Sequence, residues 1–502
     1  MTGLAVLLAA AATLSVHGAV MVAFIDRFAD YVRYPFDLDY AEGPILYQLA
    51  KLTAGESLYQ PVSQAPYTVS NYPPVYHYVV WLVNHIIGDS QIAGRIISLA
   101  GSLVSALLIF TLVRGALHKA YGVAHRNFAG LLAALYFLAH FTVIGWSAMM
   151  RVDTLALTFG LLGMQLFVLS LRYPSLAWLC GLSFVLAAYT KPNVMAAALA
   201  TFGVGLLVAR PQAIRAFAVT FTVGLSVLAV VAVVTDGEFL RHVFLYNINE
   251  IRMDLFYWRM RETMAWRTTD VLLLFFSLAW LGTWLVRRRR KGPEAAPLPE
   301  LSFILFGSYL AASLINVLGS AKNGSSVSYF LEFEAASSLL VGALTVRFSD
   351  FLRRQAWGPD CWRLRFLGIF ALAVLCWQAT FGWHLKFTPP DWSAVANSQH
   401  VVDIIADADG PVVSEEMSLL YRSGQPLYFQ PFIMTRLERD GRWDSAPFTS
   451  AMERGEIPFV VLYGAIGSVQ YYRRFPEKFQ RALETRYRQL GQYGHLAVYV
   501  PK

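Results

Sequence analysis

Three carboxylates fall within six residues in the stretch Phe36-Asp37-Leu38-Asp39-Tyr40-Ala41-Glu42-Gly43. Apolar Phe36, Leu38 and Ile45 interleave with them, so these acids are set beside greasy surface rather than on a solvated face. Other polar residues stand out against apolar surroundings in the same way. They are Asn71-Tyr72-Pro73-Pro74 with His77, Arg151 with Asp153, Lys191 in Thr190-Lys191-Pro192-Asn193, and Lys322, Asn323, Tyr329, Glu332 and Glu334. A carboxylate at a membrane surface can act as a general base and take the proton of a hydroxyl. Arg and Lys at the same level can neutralise a departing phosphate. Apolar grooves between helices can hold a lipid tail. Together these parts describe attack by a hydroxyl on a group linked to a lipid phosphate. No Ser-His-Asp motif, CxxC or nucleotide loop competes for the role. His77, alone on an apolar stretch, reads as a packed histidine. Glu332 and Glu334 stand at the start of an apolar run, where a helix dipole accounts for them as well as a ligand does.

The elements that position these groups are membrane spans. Apolar residues are 56% of the 502-residue chain and charged residues 15%, against roughly a quarter charged in a soluble domain. At about 20 residues per span, eleven segments are expected: 4–25, 92–113, 128–146, 154–171, 176–190, 192–209, 216–235, 270–286, 301–318, 335–347 and 366–385. The first lacks a basic leader and reads as a retained helix rather than a signal peptide. With a cytoplasmic N-terminus, 16 basic and four acidic residues face the cytoplasm, among them the run Arg287–Lys291. The outer loops before residue 386 hold 12 basic and 16 acidic. The net charge of +8 is thus a topology signal, with no nucleic-acid partner implied. In this layout the polar residues named above share the outer level, where ionisable groups near the membrane point to function. Cys180, Cys361 and Cys376 form no metal motif.

Two long outer loops and a tail interrupt the ladder. Within loop 26–91, residues 41–54 are amphipathic and 75–88 are apolar but too short to span, so both are expected to lie at the interface. Loop 236–269, rich in Arg, Tyr and Trp, reads as interfacial belt. Arg95, near the start of the second span, is open between a snorkelling side chain and a part of the polar site. In the tail, 386–502, 26 of 117 residues are charged. Strands are expected at Pro411–Ser414, Pro426–Phe429, Phe459–Tyr463 and Leu496–Val500, with helices at about 392–407, 413–422, 445–454 and 470–490. That alternation predicts a small α/β unit with a mostly parallel sheet.

Asp37-Leu38-Asp39-Tyr40-Ala41-Glu42-Gly43, Leu52-Thr53-Ala54-Gly55-Glu56-Ser57-Leu58-Tyr59, Tyr72-Pro73-Pro74 and Gly94-Arg95-Ile96-Ile97-Ser98 resemble the GT-C superfamily. The nearest branch is the protein-mannosyltransferase and lipid A aminoarabinose-transferase group. The resemblance covers order and topology over 1–385 and motif detail over 26–100. It implies a polytopic helical membrane domain with interfacial helices in the first outer loop and a soluble extracytoplasmic domain at 386–502. It also implies a glycosyltransferase of an inner membrane, using a polyprenyl-phosphate sugar and passing it to a glycan, lipid or protein acceptor. The family's acidic pair is adjacent, whereas Leu38 separates Asp37 from Asp39, so the base is Asp39 or Asp37, with Asp39 favoured. Glu42 is implied to organise the loop, bind substrate or, with Asp37 and Asp39, hold a divalent cation such as Mg or Mn. The second-loop Asp of the family maps onto Asp153, and Tyr72 and Tyr329 join it as substrate-binding residues. Asn71-Tyr72-Pro73 stands where aminoarabinose transferases carry a lysine, so the donor phosphate falls to Arg151, Lys191 or Lys322.

Two other readings compete. A transporter or flippase of lipid-linked sugars would place charges near the bilayer midplane, often in paired repeats; here they gather at one face and no repeat is evident. The split of the acidic pair also admits an inactive relative whose tail binds envelope partners.

Overall fold

The computed structural model describes every residue except 1, 119, 265–266, 292–297, 355–368, 371, 381–388, 465 and 468–473. The chain opens on α1 (Thr2–Arg33). Two short helices occupy the first long loop, α2 (Glu42–Thr53) and α3 (Val75–Ile87). Pro74 serves as N-cap of α3, and Tyr78, Leu82 and Ile86 along it stay exposed, as suits a helix lying in an interface. α4 (Ser90–Ala116) starts where the Asp89 carboxylate accepts the Gln91 and Ile92 N–H groups at 2.9 and 3.0 Å. α5 (Val123–Leu138) and α6 (Phe141–Ala148) meet at a bend of 66°. α7 (Asp153–Ser170), α8 (Leu176–Thr190), α9 (Ala196–Val208) and α10 (Arg210–Val234) follow. The second long loop carries α11 (Glu238–Val243) and α12 (Met253–Met264), and α13 (Thr268–Lys291), α14 (Leu298–Gly319) and α15 (Leu331–Arg354) complete the apolar part.

Among the described residues seven helices are long and apolar enough to cross a membrane, or eight if the bent α5–α6 pair is one span. The expected spans at 176–190 and 192–209 are helices of 15 and 13 residues, shorter than a simple crossing needs. The eleventh, 366–385, lies partly outside the described residues, with helix at 372–380.

Small polar residues lock α4 to its neighbours. The hydroxyls of Ser105 and Thr158 are 3.0 Å apart, Thr158 also donates to the Gly101 carbonyl at 2.7 Å, and Ser147 donates to Ser102 at 2.6 Å. Gly101 permits the approach, since a Cβ there would lie 3.0 Å from Thr154 backbone. This packing fixes the segment Met149–Val152, on which Arg151 is carried.

The tail folds as α16 (Val395–Ala406), β1 (Val412–Ser414), α17 (Met417–Ser423), α18 (Pro431–Arg439), α19 (Ala446–Glu453), β2 (Phe459–Tyr463), α20 (Glu477–Arg486), β3 (Tyr487–Tyr493) and β4 (Leu496–Pro501). The sheet order is β1-β2-β4-β3. Only β1 and β2 run parallel; β4 is antiparallel to both β2 and β3. The expectation of a mostly parallel sheet is therefore corrected. Its cause is the end of the expected helix 470–490, where Tyr487 leaves α20 and starts a hairpin that turns at Gly494, φ 59°. Nor is Pro426–Phe429 a strand of this sheet. Phe429 instead bridges Tyr67 of the first long loop, with the Tyr67 N–H on the Tyr428 carbonyl at 2.8 Å and the Gln430 N–H on the Tyr67 carbonyl at 3.0 Å. Tyr67 and Val69 enter the aromatic core of the tail beside Phe429, Trp443, Phe448 and Phe479. The tail is thus seated on the first long loop, beside the polar residues singled out from the sequence.

Candidate active site

Glu42 opens α2, and both its oxygens are consumed below the loop. Arg95 of α4 approaches Oε1 through Nε at 3.1 Å and Oε2 through Nη2 at 2.7 Å. The Leu38 and Met150 N–H groups donate to the same carboxylate at 2.8 and 2.6 Å. The remaining Arg95 protons go to the carbonyls of Tyr31, Tyr34 and Phe36 at 2.8, 2.5 and 2.8 Å. Both side chains are 0% exposed. Arg95 is therefore no snorkelling residue: it is a buried clamp joining α1, the first loop and α4. Glu42, expected among the substrate-binding residues, does not reach open space and organises the loop instead.

Asp37 faces the tail. Its Oδ2 accepts the Ser418 N–H at 3.1 Å, and Ser418 Oγ in turn accepts the Asp37 N–H at 3.0 Å. Burial, then the nearby Glu42 and Glu416 charges, push its carboxyl well above the ordinary range. Gly43 lets this contact close, because a Cβ there would meet the Met417 Cβ at 2.5 Å. Asp39 points the other way. Its Oδ1 accepts from Arg151 Nη1 at 2.7 Å and from the Ala41 N–H at 3.1 Å, and its side chain is 35% exposed.

Arg151 belongs to a chain of charges. Its Nε stands 3.5 Å from Asp153 Oδ2, and Asp153 Oδ1 accepts from Lys191 Nζ. Lys191 also lies 3.4 Å from Ser328 Oγ and 5.1 Å from the centre of the Tyr329 ring. Lys191 ends α8, Asp153 begins α7, and Tyr329 precedes α15, so residues far apart in sequence meet at one level. They edge a cavity of about 260 Å³ lined by Arg151, Lys191, Lys322, Tyr72, Tyr329 and, from the tail, Phe432. Burial, then the charges of Arg436 and Lys191, lower the Lys322 ammonium from its usual value. The lining holds three cations and no carboxylate.

Five of the expected residues thus line one cavity, with Asp39 on Arg151 at its rim and Asp153 beneath the cations. Asp37 and Glu42 do not join them. With Asp37 held by the tail and Glu42 saturated by Arg95, the three loop acids do not converge as metal ligands, and no group of three or more metal-binding side chains gathers among the described residues. Glu332 and Glu334 are structural: Glu332 accepts the Ala196 and Ala197 N–H groups at the start of α9, and Glu334 takes Arg267 Nε at 2.9 Å. His77 packs as expected, on Gln48 at 2.6 Å. Sequence reasoning missed Asn247 and Asn249 of the second long loop and Gln430 and Phe432 of the tail, which also line the cavity.

A crystal structure of ArnT from Cupriavidus metallidurans bound to undecaprenyl phosphate superposes with a TM-score of 0.57 at 13% identity, covering 95% of this chain and 97% of that one. This is the GT-C fold. An archaeal oligosaccharyltransferase of that fold, AglB from Archaeoglobus fulgidus in complex with an inhibitory peptide and a dolichol-phosphate, gives 0.55 at 11% identity over 98% of this chain and 74% of that one. The family model for dolichyl-phosphate-mannose-protein mannosyltransferases matches residues 71–235, which include Arg151, Asp153 and Lys191 of the site. No curated protein matches this sequence. The GT-C fold accounts for the spans, the helices of the first long loop and the tail seated above them.

Proposed function

We propose that the protein is a membrane glycosyltransferase that moves a sugar from a polyprenyl-phosphate donor to a hydroxyl acceptor on the extracytoplasmic face. The observation that carries this is the convergence of Arg151, Lys191 and Lys322 on one acid-free cavity with Asp39 at its rim. The ligands named for the two matching crystal structures, undecaprenyl phosphate and a dolichol-phosphate, support a lipid phosphate as the group these cations meet. Asp39 takes the acceptor proton as the hydroxyl oxygen bonds to the anomeric carbon. The bond from that carbon to the phosphate oxygen breaks, and its electron pair leaves with the lipid phosphate, stabilised by the three cations. One displacement inverts the anomeric centre. Asp153 pairs with both Arg151 and Lys191, and Asp39 pairs with Arg151 as well, which keeps both long side chains ordered before the donor arrives. Incubating the purified protein with radiolabelled polyprenyl-phosphate sugars and membrane extract tests the reading; absence of any labelled product with every donor rejects it.

Two further outcomes follow. Lys191→Gln and Arg151→Gln each weaken binding of the lipid-phosphate donor by about tenfold or more, since a charge-assisted contact is worth about 1.5–3 kcal/mol. Equal binding by both variants in a filter assay would move the phosphate to Lys322 alone. For topology, the excess of basic residues in the alternate loops orients the tail outside the cytoplasm. A C-terminal reporter that works only in the cytoplasm therefore stays silent, and a strong signal overturns the sidedness.

A further inference from the structure

The cavity that the three cations line also carries a set of neutral amides. Asn71, Asn193, Asn247 and Asn249 line it, so four of the nine asparagines in the chain reach this one space, and Gln430 of the tail joins them. They come from the first long loop, the α8–α9 turn, the second long loop and α18's leading edge. Asn247, Asn249 and Gln430 are held by hydrogen bonds to the main chain. Asn247 Nδ2 donates to the main-chain carbonyls of Asn71, His242 and Val243 at 3.0–3.2 Å. Asn249 Nδ2 donates to the Asn323 carbonyl at 2.9 Å. Gln430 Oε1 accepts the Val69 N–H at 3.0 Å, which leaves its amide nitrogen without a protein partner among the described residues. The Asn71 Oδ1 is buried and likewise has no partner among them. A buried amide oxygen without a protein partner is met by water or by a ligand, and one that lines a cavity is open to a ligand's hydroxyl. Phe432 adds an apolar face: a Cβ placed on Gly324 would lie 3.0 Å from the Phe432 ring and 3.7 Å from Asn249 Nδ2.

We infer that these amides form the subsite for the donor sugar and that they select an uncharged, hydroxyl-rich sugar, with Asn71 and Gln430 as specificity-determining residues. The inference rests on the lipid-phosphate reading above. A sugar hydroxyl both donates and accepts, and a primary amide offers both functions in one plane. Neutral amides meet such hydroxyls without a charge to neutralise. A sugar bearing a protonated amine finds no carboxylate in the lining, and it sits among Arg151, Lys191 and Lys322. A uronic sugar would gain those cations only by competing with the phosphate of its own donor. Like charges brought together, or a charge left unpaired, discriminate more strongly than lost packing does.

The test is competition against radiolabelled polyprenyl phosphate by three donors on the same lipid: a neutral hexose, a matched sugar with a free amine and a uronic sugar. The neutral donor is expected to compete at least about tenfold better than either charged one. Asn71→Asp and Gln430→Glu place a carboxylate in the subsite while keeping the folded contacts, since Asn247 binds the Asn71 main chain and Glu retains an acceptor for Val69. Each variant is expected to shift preference by about tenfold or more toward the amine-bearing donor. Equal competition by all three donors, or preference for a charged one, overturns the sugar assignment while bound lipid phosphate leaves the donor reading intact. Unchanged preference in both variants also overturns it. Failure to bind polyprenyl phosphate at all overturns both.

Discussion

Asp39→Asn is expected to cut sugar transfer at least about a hundredfold while donor binding stays near wild type. An alcohol attacks well only as its proton leaves, and a positioned carboxylate that accepts it contributes roughly 10²–10⁴ in rate. Asparagine keeps the shape, including an oxygen for Arg151 Nη1 and the Ala41 N–H, which Asp39 Oδ1 now accepts at 2.7 and 3.1 Å. What it removes is the proposed base. Because the interaction lost is made in the transition state, the loss appears in kcat rather than in donor affinity. Asp37→Asn is expected to behave differently. Asp37 is buried against Ser418 of the tail and lines no part of the cavity. Its amide analogue retains an oxygen for the Ser418 N–H, so transfer should fall severalfold at most, with any larger change showing in thermal stability. Near-normal transfer by Asp39→Asn together with a dead, folded Asp37→Asn would exchange their roles. Full activity in both variants would remove this loop from the chemistry.

The order of apolar runs, the interfacial helices of the first loop and the shared level of the charged residues were legible because each rests on local sequence. A run of about 20 apolar residues, a 14-residue apolar stretch and a Lys/Arg excess are read without knowing what packs on what. The pairing of charges was not legible. Arg95 stands near a span end, where a snorkelling arginine has the same sequence surroundings, and only the fold brings Glu42, 53 residues away, onto it. Leu38 between Asp37 and Asp39 was visible, but its consequence was not: the two acids face opposite ways, Asp37 to the tail and Asp39 to Arg151. The amides at Asn247 and Asn249 lie in a segment whose aromatic and basic residues read as interfacial belt, which hid them. In the tail, the period of strands and helices was found, while their direction was not, because Tyr487–Tyr493 continues a polar helical pattern until Gly494 reverses the chain. Gln430 and Phe432 carry no motif, and their place depends on the tail being docked through Tyr67.

The largest loss of stability is expected from breaking the Glu42–Arg95 clamp on one side. Arg95→Met leaves a carboxylate at 0% exposure with two N–H donors and no cation. It also strips the carbonyls of Tyr31, Tyr34 and Phe36 of their partner. Removing one member of a buried ion pair costs about 3–5 kcal/mol, much of it from the charge left behind. The first loop should loosen, and with it both Asp37 and Asp39, so transfer and the detergent-solubilised melting temperature fall together. Glu42→Gln is milder, because the amide still accepts from Leu38 or Met150 while Arg95 keeps its three carbonyls. The double variant Glu42→Gln with Arg95→Met separates charge from packing. If the uncompensated carboxylate is the main penalty, the double variant melts higher than Arg95→Met alone, even though it carries one more substitution. If it melts lower, with the two losses adding, the clamp acts through its hydrogen bonds to the first loop and not through its charges.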